Sequence, residues 1–86
     1  MFFVYILQSL KNKNQIYIGY TENLKVRLSK HNKGLVKSTK PYLPWELIFY
    51  EAYKSKKDAK RREKYFKTTK GRKAFKLMLR YSLKRS

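Results

Sequence analysis

The chain has no cysteine, one histidine, two prolines, three glycines and only five acidic residues among its 86. Each shortage excludes something. Without cysteine there are no disulfides, and His31 alone cannot complete a structural zinc site. So little glycine and proline leaves no low-complexity linker, and there is no internal repeat. Long apolar runs are missing too. The longest near the N-terminus, Phe2 to Leu7, is far too short to cross a bilayer. It lacks the charged lead and small-residue cleavage site of a signal peptide, so the expectation is a cytoplasmic protein. The shortage of acid has the largest consequence. Lys and Arg number 23, against Glu22, Glu46, Glu51, Asp58 and Glu63, giving a net charge of +18. No acid follows Glu63. Such a surface repels itself and calls for a polyanion. Nucleic acid is the leading partner, because neutralising phosphates releases counterions. An anionic membrane surface is the rival.

What is present fits one domain spanning 1–86. Hydrophobic residues make up 42%, with eight Tyr and five Phe. A chain of this size buries roughly 60–65% of its unfolded surface, enough for one core and not two. Phe2–Leu7 reads as a buried strand and Gln15–Tyr20 as a second. Asn12 and Asn14 suit the turn between them. If the hairpin centres near Lys11, Tyr5 and Tyr17 face each other. Thr21 can cap a helix with Glu22 in its first turn. That helix carries Leu24 and Leu28 on one stripe, with Arg27 and His31 four apart on a neighbouring face. Gly34 is a left-handed exit.

Residues 35–44 form a loop. Trp45–Tyr53 reads as a third strand, with Trp45, Leu47 and Phe49 on one face and Ile48, Tyr50 and Ala52 on the other. Both faces are apolar, which predicts helices on both sides. Ser55 to Asp58 resembles a capping box opening a helix to about Lys67. Gly71 interrupts, and a last helix carries Phe75, Leu79 and Leu83. The expected fold class is α/β, or more narrowly α+β: a three-stranded antiparallel sheet flanked by helices.

The informative pattern is Tyr17-Ile18-Gly19, then Arg27 ten residues after Tyr17 and His31 fourteen after it. A phenol at a strand end is followed by a guanidinium and an imidazole one helical turn apart. Such groups can bind a phosphate and polarise it. Phosphoryl transfer needs an in-line nucleophile, charge neutralisation and a cation. Taken singly, each residue has a structural reading. Tyr5 and Tyr17 serve equally as core tyrosines. Gly19 can be a bulge. His31 can complement a helix C-terminus. Glu63 can pair with Lys60 or Lys67.

Taken together, Phe3-Val4-Tyr5, Tyr17-Ile18-Gly19, Arg27, His31 and Glu63 resemble the GIY-YIG nuclease superfamily, and in particular its small stand-alone bacterial members. Matching stretches include Tyr20-Thr21, Leu24, Asn32-Lys33-Gly34, Thr39-Lys40, Pro44-Trp45 and Ala59 to Lys67. One departure is Phe3-Val4 where the family name has Gly-Ile. The resemblance implies metal-dependent hydrolysis of DNA phosphodiesters. Tyr17 would deprotonate or position the attacking water, with Tyr5 supporting it by hydrogen bond. Arg27 would stabilise phosphoryl charge, and His31 would orient or relay a proton. Glu63 would hold one Mg²⁺ or Mn²⁺, weakly without substrate, since magnesium accepts one carboxylate when water and phosphate complete its shell. Free tyrosine has a pKa of about 10, so a nearby cation must favour its ionised form. Gly19, Tyr20, Asn32, Thr39, Lys40 and Lys67 are candidate substrate contacts.

DNA repair or recombination is the expected setting, with low sequence specificity or targeting by a protein partner. The alternatives are a non-catalytic nucleic-acid-binding module on the same scaffold, or a basic protein docked on RNA or the ribosome.

Overall fold

The computed structural model describes residues 1–84. Strand β1 (Phe2–Ser9) has every residue from Val4 to Leu7 buried, as its apolar run requires. Such a strand must be central, and it is: β2 (Ile16–Thr21) and β3 (Trp45–Tyr53) flank it in the order β2-β1-β3, both antiparallel to it. The expected three-stranded antiparallel sheet with helices is therefore the observed one.

The hairpin register differs by one step in its centre. Tyr5 pairs with Gly19 and Leu7 with Tyr17, so the two tyrosines are diagonal, not opposite. The cause is the Ser9 hydroxyl, which accepts from the amides of Lys11 and Asn12 (3.1 and 2.9 Å) and moves the turn to Asn12.

Helix α1 (Leu24–Asn32) starts two residues later than Thr21 suggests. Asn23 is its cap, its side chain accepting from the Val26 amide at 3.1 Å. Thr21 instead closes a small turn on Asn23, leaving Glu22 outside the helix. Gly34 takes φ +73° after the helix, as expected of a left-handed exit. A short 3₁₀ turn, Lys40–Tyr42, lies in the following loop.

A bulge in β3 overturns the expected alternation. Ile6 pairs with Phe49 but Leu7 with Leu47, so Ile48 is an extra residue. Trp45 and Leu47 pack with Tyr5 and Leu7 on the α1 side. Phe49 turns to the other face, where it meets Phe66 at 6.2 Å between ring centroids. That second face carries Val4, Ile6 and Ile18, and is covered by α2 (Lys56–Phe66) and α3 (Thr69–Met78).

Gly71 does not interrupt a helix. The break falls at Lys67-Thr68, where the Thr68 hydroxyl caps α3 by accepting from the Gly71 amide at 3.0 Å. Gly71 sits inside α3 because a β-carbon there would collide with the Tyr65 carbonyl at the end of α2. Helix α3 ends at Met78, and Leu83 reaches the core from the turns beyond it.

The C-terminal segment is clasped to β1. The Gln8 side chain donates to the Lys84 carbonyl (2.8 Å) and accepts from its amide (2.9 Å). Lys84 also ion-pairs with Glu46.

Candidate active site

Pairing Tyr5 with Gly19 has a direct result on the α1 face. The Tyr5 ring lies over the glycine, where a β-carbon would come within 2.7 Å of its Cε1. Gly19 is thus the position that lets Tyr5 lie flat, 6.1 Å from the Tyr17 ring. Arg27 and His31, one turn apart on α1, come down on this pair. The Tyr5 hydroxyl meets His31 Nε2 at 2.8 Å and accepts from Arg27 Nε at 3.4 Å. The Tyr17 ring packs edge-on to His31 at 4.8 Å and against Trp45 at 6.4 Å.

The bonds form a directed chain. The Thr39 hydroxyl donates to the Val36 carbonyl, so we assign His31 Nδ1–H as donor to Thr39 Oγ1 at 2.8 Å. His31 Nε2 then accepts the proton of Tyr5, and Tyr5 oxygen accepts from Arg27. Burial sets the protonation states. It pushes the Tyr5 phenol up to about 12, so it stays a donor at neutral pH. It pushes His31 down to about 4, with the Arg27 charge acting in the same direction. Arg27 is raised, chiefly by its bond to Tyr5. Of these three groups only Arg27 is charged at pH 7, and its Nε is committed to Tyr5.

His31 is fully buried with both ring nitrogens engaged, which fixes its ring in place. This gives a stability prediction. Because His31 has a lower pKa folded than unfolded, the unfolded chain binds the proton more readily between about pH 6.5 and 4. Stability is complete above that window and falls as pH falls through it. From pH 7.5 to 4.5 the loss is about 2–3 kcal/mol by linkage. Urea unfolding of the wild type and His31→Gln at both pH values tests this, and equal pH slopes would remove the assignment.

The remaining expected residues are spread more widely. Glu63 comes from α2, on the other face of the sheet, and makes no hydrogen bond or ion pair with the four residues above. It is held by Lys67 at 3.2 Å and Lys60 at 3.7 Å. Lys60 in turn lies 4.3 Å over the ring of Tyr20, on β2. Lys67, a candidate phosphate contact, is therefore already paired with Glu63.

Tyr20 lies within the strand, stacked on Phe2, and its buried hydroxyl has no partner. Burial raises its pKa, and Glu22 and Glu63 add to this. Thr39 is not at the surface to meet phosphate; it is buried under His31. The Asn32 amide is likewise spent, accepting from the Trp45 amide (2.6 Å) and donating to its carbonyl (3.0 Å). It ties the end of α1 to the start of β3. Lys40 is exposed on the 3₁₀ turn.

Trp45 is a supporting residue whose role the strand pattern hides. Its indole donates to the Thr39 carbonyl at 2.9 Å and braces the loop that holds His31.

Among the described residues, no group of three or more His, Cys, Asp or Glu is placed to hold a metal. What exists is one carboxylate, Glu63, beside one orphaned hydroxyl, Tyr20. Both are hard oxygen ligands. Oxygen ligands of this kind suit Mg²⁺ or Mn²⁺ when waters and substrate phosphate complete the shell.

The sequence matches the GIY-YIG catalytic domain over residues 1–77. The chain belongs to the GIY-YIG family. It is 40% identical to the UPF0213 protein SH2523 of Staphylococcus haemolyticus over 67 residues, which cover 77% of this chain and 79% of that protein. It is 39% identical to the UPF0213 protein SAG0778 of Streptococcus agalactiae over 66 residues, 76% of this chain and 73% of the other. A UPF0213 protein of Streptococcus pyogenes, SpyM3_1077, is 39% identical over 71 residues, 81% and 75% of the two chains. None of these names states an activity. GIY-YIG proteins form a nuclease superfamily acting on nucleic acid, generally with a divalent metal. Among the described residues of this GIY-YIG domain, no helix is long and apolar enough to cross a membrane.

Proposed function

We propose that this GIY-YIG domain is a DNA endonuclease that hydrolyses phosphodiester bonds with Mg²⁺ or Mn²⁺. The observation that carries the reading is the chain from Thr39 through His31 and Tyr5 to Arg27. It fixes one guanidinium beside an accessible tyrosine in a cluster that is otherwise neutral. Arg27 binds a phosphoryl oxygen and stabilises the charge that grows there. Tyr17, the more exposed phenol, positions or deprotonates the attacking water. Tyr5 and His31 hold Arg27 in place.

Glu63 and the Tyr20 hydroxyl would hold the metal, which supplies charge neutralisation at the phosphate. β2 is an edge strand, with Tyr17 and Gly19 on one face and Tyr20 on the other. The domain itself is filled by one sheet and three helices. Low sequence specificity or targeting by a protein partner follows, and branched, damaged or single-stranded DNA in repair or recombination is the fitting substrate class.

One observation favours a second reading. Glu63 is neutralised by two lysines, which is the state expected of a non-catalytic binding module. Incubation with duplex, single-stranded and branched DNA and with RNA, with and without Mg²⁺ or Mn²⁺, decides between them. Metal-dependent cleavage of DNA is expected, and Glu63→Ala should reduce it by about 100-fold or more. Unchanged binding in EDTA with no cleavage on any substrate would establish the binding module. Preference for structured RNA, independent of Tyr17 and Arg27, would establish the RNA-docked alternative.

A further inference from the structure

The acids of this protein are distributed unevenly in space. Four of the five are spent on β3, α2 and the C-terminal segment: Glu51 on Arg62, Asp58 on Arg61, Glu63 on Lys60 and Lys67, and Glu46 on Lys84. None reaches α3. Its Lys70, Arg72, Lys73 and Lys76, with Arg80 just beyond it, are all exposed, and among the described residues none has an ion-pair partner.

The apolar side of α3, Gly71, Phe75 and Leu79, is turned inward onto the core and used up there. At 100° per residue the opposite side carries Lys70, Lys73 and Leu77, flanked by Lys76, with Arg80 in the turn that follows the helix. At the end of this cationic ridge stands Tyr81, 90% exposed, with the Arg80 guanidinium 4.9 Å over its ring. An aromatic ring held out in water beside a guanidinium, on a ridge of uncompensated cations, has the composition of a single-strand platform. Phosphates meet the cations and a base stacks on the ring.

An anionic membrane surface fits less well. A helix lying in a bilayer interface needs a continuous apolar face for the lipid, and α3 spends its own on the core. Leu77, Met78 and Tyr81 are exposed near its end, too short a stretch to make a continuous face.

The ridge and the Tyr5–Arg27 cluster lie on opposite faces of the sheet, since α3 packs with Val4, Ile6 and Ile18 and α1 with Tyr5 and Leu7. We propose that the outward face of α3, with Lys73, Lys76, Arg80 and Tyr81, is a second nucleic-acid-binding surface that takes a single strand. A duplex with a single-stranded arm can engage both faces at once and is the matching class. That last link rests on the nuclease reading above; the binding surface itself does not.

The test is fluorescence anisotropy with labelled oligothymidylate, blunt duplex and a duplex bearing a single-stranded arm, at 150 mM salt. Wild-type protein should bind the armed duplex about tenfold or more tighter than the blunt one. Tyr81→Ala, which changes no charge, should weaken oligothymidylate binding by about tenfold. Lys73→Glu/Lys76→Glu should abolish the preference for the arm. The matched control Lys54→Glu/Lys57→Glu, with the same change in net charge on β3's exit and α2, should retain it.

Equal losses in the two double variants, or no effect of Tyr81→Ala, would overturn the proposal as unspecific charge. So would loss of binding to phosphatidylglycerol vesicles in Lys73→Glu/Lys76→Glu with oligothymidylate binding intact. Cleavage is read separately. If no substrate is cut but the arm preference follows the α3 variants, the nuclease reading fails and this surface stands.

Discussion

Arg27→Ala is expected to slow DNA cleavage by about a thousandfold, some 4 kcal/mol of transition-state stabilisation. Arg27 is the only charge in the Tyr5–His31 chain at pH 7, so nothing adjacent replaces it. The protein should still fold, because what the variant loses is a 3.4 Å bond to the Tyr5 hydroxyl, worth about 1 kcal/mol. Arg27→Lys is the informative companion. A lysine restores the charge but presents no fork and no Nε to meet Tyr5. It should recover little of the rate. Single-turnover cleavage of a labelled duplex, with urea unfolding as a check on folding, measures both. Metal-dependent cleavage that persists in Arg27→Ala and Glu63→Ala alike would place the activity in a contaminant and remove the site.

Gly71→Ala should cost more stability than any change among the surface cations. The added methyl falls on the Tyr65 carbonyl oxygen and within 2.6 Å of its carbonyl carbon, both backbone atoms at the end of α2. Neither can swing away as a side chain would, so α2 and α3 must part. The expected cost is about 3 kcal/mol, the upper end for overpacking. In a domain of this size that lowers the melting temperature by about 12–24 °C. A change below about 4 °C would show that the junction yields. The loss would come first at Phe66 and Phe75, whose rings meet at 5.7 Å beneath this junction.

Much of the fold is legible in local pattern. Strand β3 has the bounds its apolar run gives, and the spacing of four between Arg27 and His31 correctly places them on one helical face. What is not legible depends on contacts between distant segments. The bulge at Ile48 follows from where β1 pairs with β3, and it moves Phe49 to the other face against its own alternation. Gly71 looks like a break because glycine is locally a poor helix former, whereas its purpose lies across α2.

Thr39 and Asn32 are short polar loop residues that suit phosphate contact equally well in sequence. Only the fold shows that His31 and the ends of Trp45 have already claimed them. Glu63 is the instructive case. Its spacing from Lys60 and Lys67 predicts the ion pairs observed, whereas its place on the face of the sheet away from Tyr5 and Arg27 is invisible to spacing.

The Gln8–Lys84 clasp bears on how the protein is made. Synthesis delivers β1 first and the clasp's other half last, so the two can meet only after 76 residues have been added. Every residue of the Tyr5–His31–Thr39–Trp45 network has emerged by residue 45, but the helices that shield Val4, Ile6 and Ile18 have not. A nascent chain of that length therefore carries this network on a hairpin with one bare apolar face. Long-range closure of this kind slows folding and leaves that face open to aggregation until α3 arrives.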